Sequence, residues 1–197
     1  MLALSVWLGF VLAAGTFAAI VFQVTKGLDP RLPGHEGYTG EHYLIVGGHM
    51  AQTVFFVTDV VQFACALASC VTLGGVFIML RDQDRARRPA MVLRFLAMAL
   101  ALGSVASLLL IVNPKLTVAM RLYWDAAGAG DNEGALKFRS VAAEFHPYAT
   151  GLMLGAAVGV LVALVAAVWS LAKPFQEPIP QKRDRFPEPA LLKGRRA

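Results

Sequence analysis

Besides its hydroxyl residues, the apolar stretch between Tyr43 and Leu80 carries His49, Gln52, Asp59 and Gln62. On a helix they fall within about 140° of the circumference and share one broad face. An ionisable group inside a membrane helix is a functional hypothesis by default, here a proton or solute pathway past Asp59. The competing chemistry is structural, with the Asp59 carboxylate accepting hydrogen bonds from Gln62, Gln52 or a residue such as Asn113 and so tying helices together. His146, with Thr150 four residues on, marks the entrance to the last apolar segment. It reads either as a titratable ligand or as an interfacial residue fixing the start of a helix.

His35, His42 and His49 are seven residues apart, and Met50, Met120 and Met153 add soft donors. Imidazole and thioether suit copper, and two imidazoles suit haem iron. Spacing has no geometric meaning in the glycine-rich stretch Lys26–His42, so only His49 and His146 fall on expected helices. Counted up from Arg81 and Lys173, their heights differ by about 8 Å at 1.5 Å per residue, against about 4 Å between two axial ligands of one iron, so side-chain reach would have to close the rest. We expect no metal and no cofactor, with haem or copper binding through His49 and His146 as the lesser alternative. The chain also lacks a Gly-rich phosphate loop, a Cys-x-x-Cys pair and a His-Glu-x-x-His motif. It is expected to have no catalytic residues and not to be an enzyme. Cys65 and Cys70 are five apart, too divergent on a helix to bridge, and are expected as small buried side chains.

The elements that must position these groups follow from composition. Of 197 residues 57% are hydrophobic and only 16% charged, more apolar than a soluble domain. Leu2–Val24, a stretch within Tyr43–Leu80, Met91–Val112 and Tyr148–Ala172 are each long enough to cross a bilayer. The expected fold is an all-α integral membrane four-helix bundle over residues 1–172, followed by a basic, Pro-rich tail, 173–197, expected to be disordered. As one helix, Tyr43–Leu80 would be about 57 Å long, well beyond the roughly 30 Å of hydrocarbon. Counting about 20 residues from Arg81 puts the outer hydrocarbon edge near Val60. Helices 2 and 3 are thus expected to extend beyond the outer membrane face as a paired hairpin. Asn113-Pro114 interrupts helix 3, a short helix capped by Asp131 or Asn132 runs toward Phe145, and Pro147 restarts the chain as helix 4. In that last helix Gly151, Gly155, Gly159, Ala163 and Ala167 recur every fourth residue and form a small-residue stripe for close helix packing.

Charge sets the expected topology. The helix 2–3 loop with Arg94 carries five Lys/Arg and the tail seven, against two in the helix 1–2 loop and four between helices 3 and 4. Both termini are then expected to be cytoplasmic. The basic loop and tail are explained by anionic lipid rather than nucleic acid. Four short helices enclose little volume, so transport would require a homo-oligomer.

Three short features occur in order: Trp7-Leu8-Gly9-Phe10 with Phe17 and Val21-Phe22; Asn113-Pro114-Lys115 followed by Arg121; and Phe145-His146 with Thr150. Together they resemble the transmembrane-protein-205-like family of small four-helix membrane proteins, over roughly Met1–Trp169. That family usually has a hydroxyl residue soon after the Phe-His pair, often serine and often followed by asparagine; here Tyr148 and Thr150 stand nearby and no asparagine follows. The resemblance implies a membrane protein without a known catalytic centre. The expected role is that of a structural or partner-binding bundle.

Overall fold

The computed structural model describes residues 1–80 and 88–172. The basic connection around Arg81–Arg87 and the tail, on which the lipid-binding and disorder expectations rest, lie outside those residues. Within them the chain is all helix and connection, with no strand: α1 (Leu2–Leu28), α2 (His42–Leu80), α3 (Arg88–Ser107), a π-helical turn (Leu108–Val112), α4 (Asn113–Gly128) and α5 (Asn132–Ala172). α3, the π turn and α4 join end to end, giving four rods, each long and apolar enough to cross a membrane. The protein is a multi-pass membrane bundle.

Two prolines expected to break helices do not. The N–H of Asn113 bonds the Leu108 carbonyl, five residues back, so the π turn holds one extra residue just before Pro114. Pro114 then takes an early position of α4, where a missing N–H costs little. Pro147 lies inside α5, which runs unbroken over 41 residues. The expected restart of a fourth helix at Pro147 is thus corrected. α5 packs on α4 and on α3, and one absent hydrogen bond does not outweigh that packing.

The bundle core is built from small residues. Ala97, Ala101, Ala156, Val160 and Ala163 are buried at the α3–α5 seam, where the two helices run antiparallel. A Cβ on Gly159 would stand 2.7 Å from the Ala97 carbonyl oxygen and 2.8 Å from the Ala101 nitrogen, so backbone meets backbone there. A Cβ on Gly155 would meet only the Ser104 hydroxyl, at 2.7 Å. Gly151 has nothing within 4 Å. The stripe therefore packs from Gly155 onward. Gly151, expected within it, is exposed, because α3 has by that level given way to the π turn.

α1 sits beside α2 and α5, and its register is fixed at two heights. Trp7 bonds Gln62, and Phe22 and Thr25 crowd Gly47. Counted from the first of these, Leu2 lies level with about Leu67, some 20 Å short of the Leu80 end of α2 at 1.5 Å per residue. The four apolar runs are therefore not centred at one depth; α1 rides toward the end of the bundle that holds the 29–41 connection.

At that end stands a second core, which we call the headpiece. Tyr38, Ile45, Tyr123, Ala127 and Ala135 are buried together, with Trp124 and Phe138 against them. The long arms expected of α2 and the third rod are present, and the first part of α5 adds a third arm, with the 29–41 connection folded across them. α4 packs chiefly on α5, while α2 reaches α4 through large side chains rather than close backbone contact. The connection is not the free loop its glycines suggest. The Tyr38 and Tyr123 hydroxyls lie 3.0 Å apart. The Nε2 of His42 faces the Tyr38 carbonyl at 3.1 Å, and the Leu32 N–H donates to its Nδ1 at 3.4 Å. Thr39 donates from backbone and hydroxyl to the Asn132 carbonyl, whose amide donates in turn to Gly37. Gly37 and Gly130 are in backbone contact, and Gly130 has φ +73°, so neither tolerates a side chain cheaply. The Gly34 and Glu36 backbone N–H groups hold the exposed Glu36 carboxyl below its usual range. Asp131, not Asn132, caps α5 by accepting the Gly134 N–H at 2.9 Å.

Candidate functional site

Asp59 lies on α2 facing the start of α4. The Asn113 side-chain amide donates to its Oδ2 at 2.8 Å, and the Gln62 amide donates to Oδ1 at 3.4 Å. Asp59 and Gln62 are three apart and so share a helix face. The Gln62 carbonyl is engaged as well, accepting the Trp7 indole N–H at 3.1 Å. Trp7 is 0% and Gln62 1% exposed, so this last bond is made in a fully buried setting. One polar chain, Trp7–Gln62–Asp59–Asn113, thus ties α1, α2 and α4 at a single level.

The π turn helps to aim it. One extra residue rotates everything after it by about 100° relative to an unbroken helix. Asn113 is the first residue past that turn, and its side chain meets Asp59. The asparagine and the proline that follows are one device: Pro114 favours the bulge, and the bulge aims Asn113.

The other residues singled out by sequence go elsewhere. His49 lies about 15 Å above Asp59 along α2. Its ring stacks on Trp124 with centroids 3.7 Å apart and an angle of 24°, and its Nδ1 lies 2.9 Å from the Ile45 carbonyl. Gln52 makes no side-chain hydrogen bond among the described residues and is not part of the Asp59 chain. The expected polar face therefore divides into a lower pair, Asp59 and Gln62, and an upper aromatic contact. His146 and Thr150 are exposed on α5, without a side-chain hydrogen bond among the described residues. His49 is stacked on Trp124 of α4, whereas His146 is exposed on α5. Among the described residues no three His, Cys, Asp or Glu side chains gather as metal ligands would. Cys65 is buried as expected, but Cys70 is exposed, and both are free thiols.

Sequence reading missed the headpiece lock of Tyr38, His42 and Tyr123, and the partnering of Trp7 with Gln62. Trp7 stands near the start of an apolar helix, and only the offset of α1 brings it opposite Gln62. Chemically, the site offers one carboxylate with two amide donors and an indole behind them. Among the described residues no hydroxyl, thiol or imidazole is hydrogen-bonded to it. A groove of about 480 Å³ lies apart from Asp59, between α4 and α5. No protein-family model, curated protein or solved structure matches the chain.

Proposed function

We propose that this protein is a structural, partner-binding membrane bundle that carries a compact headpiece on one side of the membrane and has no catalytic centre. The observation that carries the reading is the Asp59 chain. A carboxylate kept for proton or solute passage needs access to water and freedom to change partners. Asp59 instead spends both oxygens on side chains of its own fold, and the donor behind it is fully buried. The locked headpiece supports the same reading, because an ordered outward surface is what a partner would recognise. The resemblance to the transmembrane-protein-205-like family points the same way. In this reading the 81–87 connection and the tail are cytoplasmic and the headpiece is on the opposite side.

The test is flux. Reconstituted into liposomes with a pH-sensitive or ion-sensitive dye inside, the protein should leave proton and cation leakage at the lipid background, and Asp59→Asn should not alter it. Leakage above background that disappears in Asp59→Asn would establish the transport reading instead.

A further inference from the structure

The α4–α5 groove lies just beyond the uncharged belt. From Phe95 to Pro114 and from Phe145 to Ala172 the chain has no Lys, Arg, Asp or Glu. The groove begins where those runs end, at Pro114 and Phe145, and continues to Leu122 and Phe138. Eight residues of α4 give it a length of about 12 Å. Its lining is almost wholly carbon, with Ala119 buried at its floor and Val118 and Val141 exposed at its edges. Below its lower mouth the surface remains apolar and open, with Leu110 77% and Tyr148 66% exposed. The groove is thus continuous with the surface that faces acyl chains.

Its edges are cationic. Lys115 leans across the lower mouth, its Nζ 6.0 Å from the centre of the Phe145 ring on the opposite helix. Arg121 and Lys137 are exposed, next in sequence to the lining residues Leu122 and Phe138. The α4–α5 hairpin turns about Gly130, so Arg121 and Lys137 stand nearly level across the groove. Asp125 lies one turn above Arg121, and Glu144 lies near the lower mouth. These acids leave the level of Arg121 and Lys137 as the place for a negative group.

We propose that this groove holds one acyl chain of an anionic phospholipid from the adjacent leaflet, with its phosphate between Arg121 and Lys137. The chain runs down the apolar floor, passes beneath the aliphatic stem of Lys115, and enters the bilayer between Leu110 and Tyr148. A bare apolar groove beside charged arms would be costly in water, and this one opens toward the uncharged belt where acyl chains lie. A guanidinium and an ammonium together favour a phosphate that carries a net negative headgroup. The site is separate from the Asp59 chain, and the inference uses only the membrane placement, so it stands or falls independently of whether the bundle transports anything.

The full chain, reconstituted in mixed phosphatidylglycerol and phosphatidylcholine vesicles and re-extracted into mild detergent, should retain about one phosphatidylglycerol per chain by native mass spectrometry. In the double variant Arg121→Glu, Lys137→Glu, retention should fall by at least about tenfold, since two attractive surface charges become repulsive. Both positions are exposed, and an unchanged melting midpoint verifies that the variant is folded. Val118→Asp, at the exposed edge of the groove, should lower retention without touching either cation. Equal retention of the two lipids, or retention that survives the double variant, would overturn the proposal. In the latter case the lipid is held by the basic connection or tail, which the variant leaves intact.

Discussion

Asp59 illustrates how one side chain is read differently by sequence and by its neighbours. Its two donors come from residues of different elements, so its energetic weight should show as coupling between helices. Interhelical hydrogen bonds in membranes average only about 0.6 kcal/mol and reach about 1.7 kcal/mol, and a carboxylate acceptor belongs at the upper end. Asn113→Ala should therefore cost about 1–2 kcal/mol in reversible unfolding in detergent. Trp7→Phe removes the indole N–H together with part of a fully buried ring and strands the Gln62 carbonyl, which should cost about 1–3 kcal/mol or more. His146→Ala, at an exposed and unbonded position, should stay within about 0.5 kcal/mol of the parent in the same measurement. A large loss at His146 with none at Trp7 would invert the residue-level reading. The buried Trp124 N–H and Ser69 hydroxyl have no partner in the described structure. For Trp124 the stacked His49 ring offers a face rather than an acceptor in line.

At the scale of elements, close approach and continuity can be tested separately. Gly159 meets the α3 backbone and Gly151 meets nothing. Gly159→Leu should lower stability by about 1–3 kcal/mol or more, while Gly151→Leu should change it by less than about 0.5 kcal/mol. Gly155→Leu should fall between them, because the Ser104 hydroxyl can rotate away whereas the backbone of α3 cannot. Equal effects at Gly151 and Gly159 would remove the packing argument. Pro147 lies inside a continuous helix, where proline is about 3 kcal/mol less favourable than alanine. Pro147→Ala should accordingly raise the melting midpoint, and a lowered midpoint would mean that the proline fits a bend the helix requires. Much of this level was legible in the sequence. The long α2 followed from apolar length, and the alanine-glycine stripe from its four-residue period. What was not legible is whatever depends on a neighbour: the offset of α1, the passage of α5 through Pro147, and the π turn at Leu108–Val112. Helix-breaking propensity is a local property, and here tertiary packing outweighs it. The headpiece was hidden for a related reason. Glycine-rich chain reads as loose, whereas Gly37 and Gly130 are there to let two backbones touch.

The whole molecule is asymmetric along its long axis. One end holds the Leu80–Arg88 connection and the end of α5, and the other holds the buried tyrosines of the headpiece. In the orientation proposed above from the distribution of Lys and Arg, the first end is cytoplasmic. Single cysteines at Arg87 and at the exposed Glu133, in a chain with Cys65 and Cys70 replaced by alanine, should therefore react with an impermeant reagent from opposite sides. Labelling at position 133 from the cytoplasmic side would reverse the orientation while leaving the bundle intact. The broader claim is that the polar residues within the bundle hold it together and do no chemistry. A double-mutant cycle between Asp59 and Asn113 tests it most directly, using Asp59→Leu, Asn113→Ala and the pair, unfolded reversibly in one detergent. The account predicts a coupling of about 1 kcal/mol or more, since both donor and acceptor are committed to each other. A coupling below about 0.3 kcal/mol, with the single variants as stable as the parent, would contradict it.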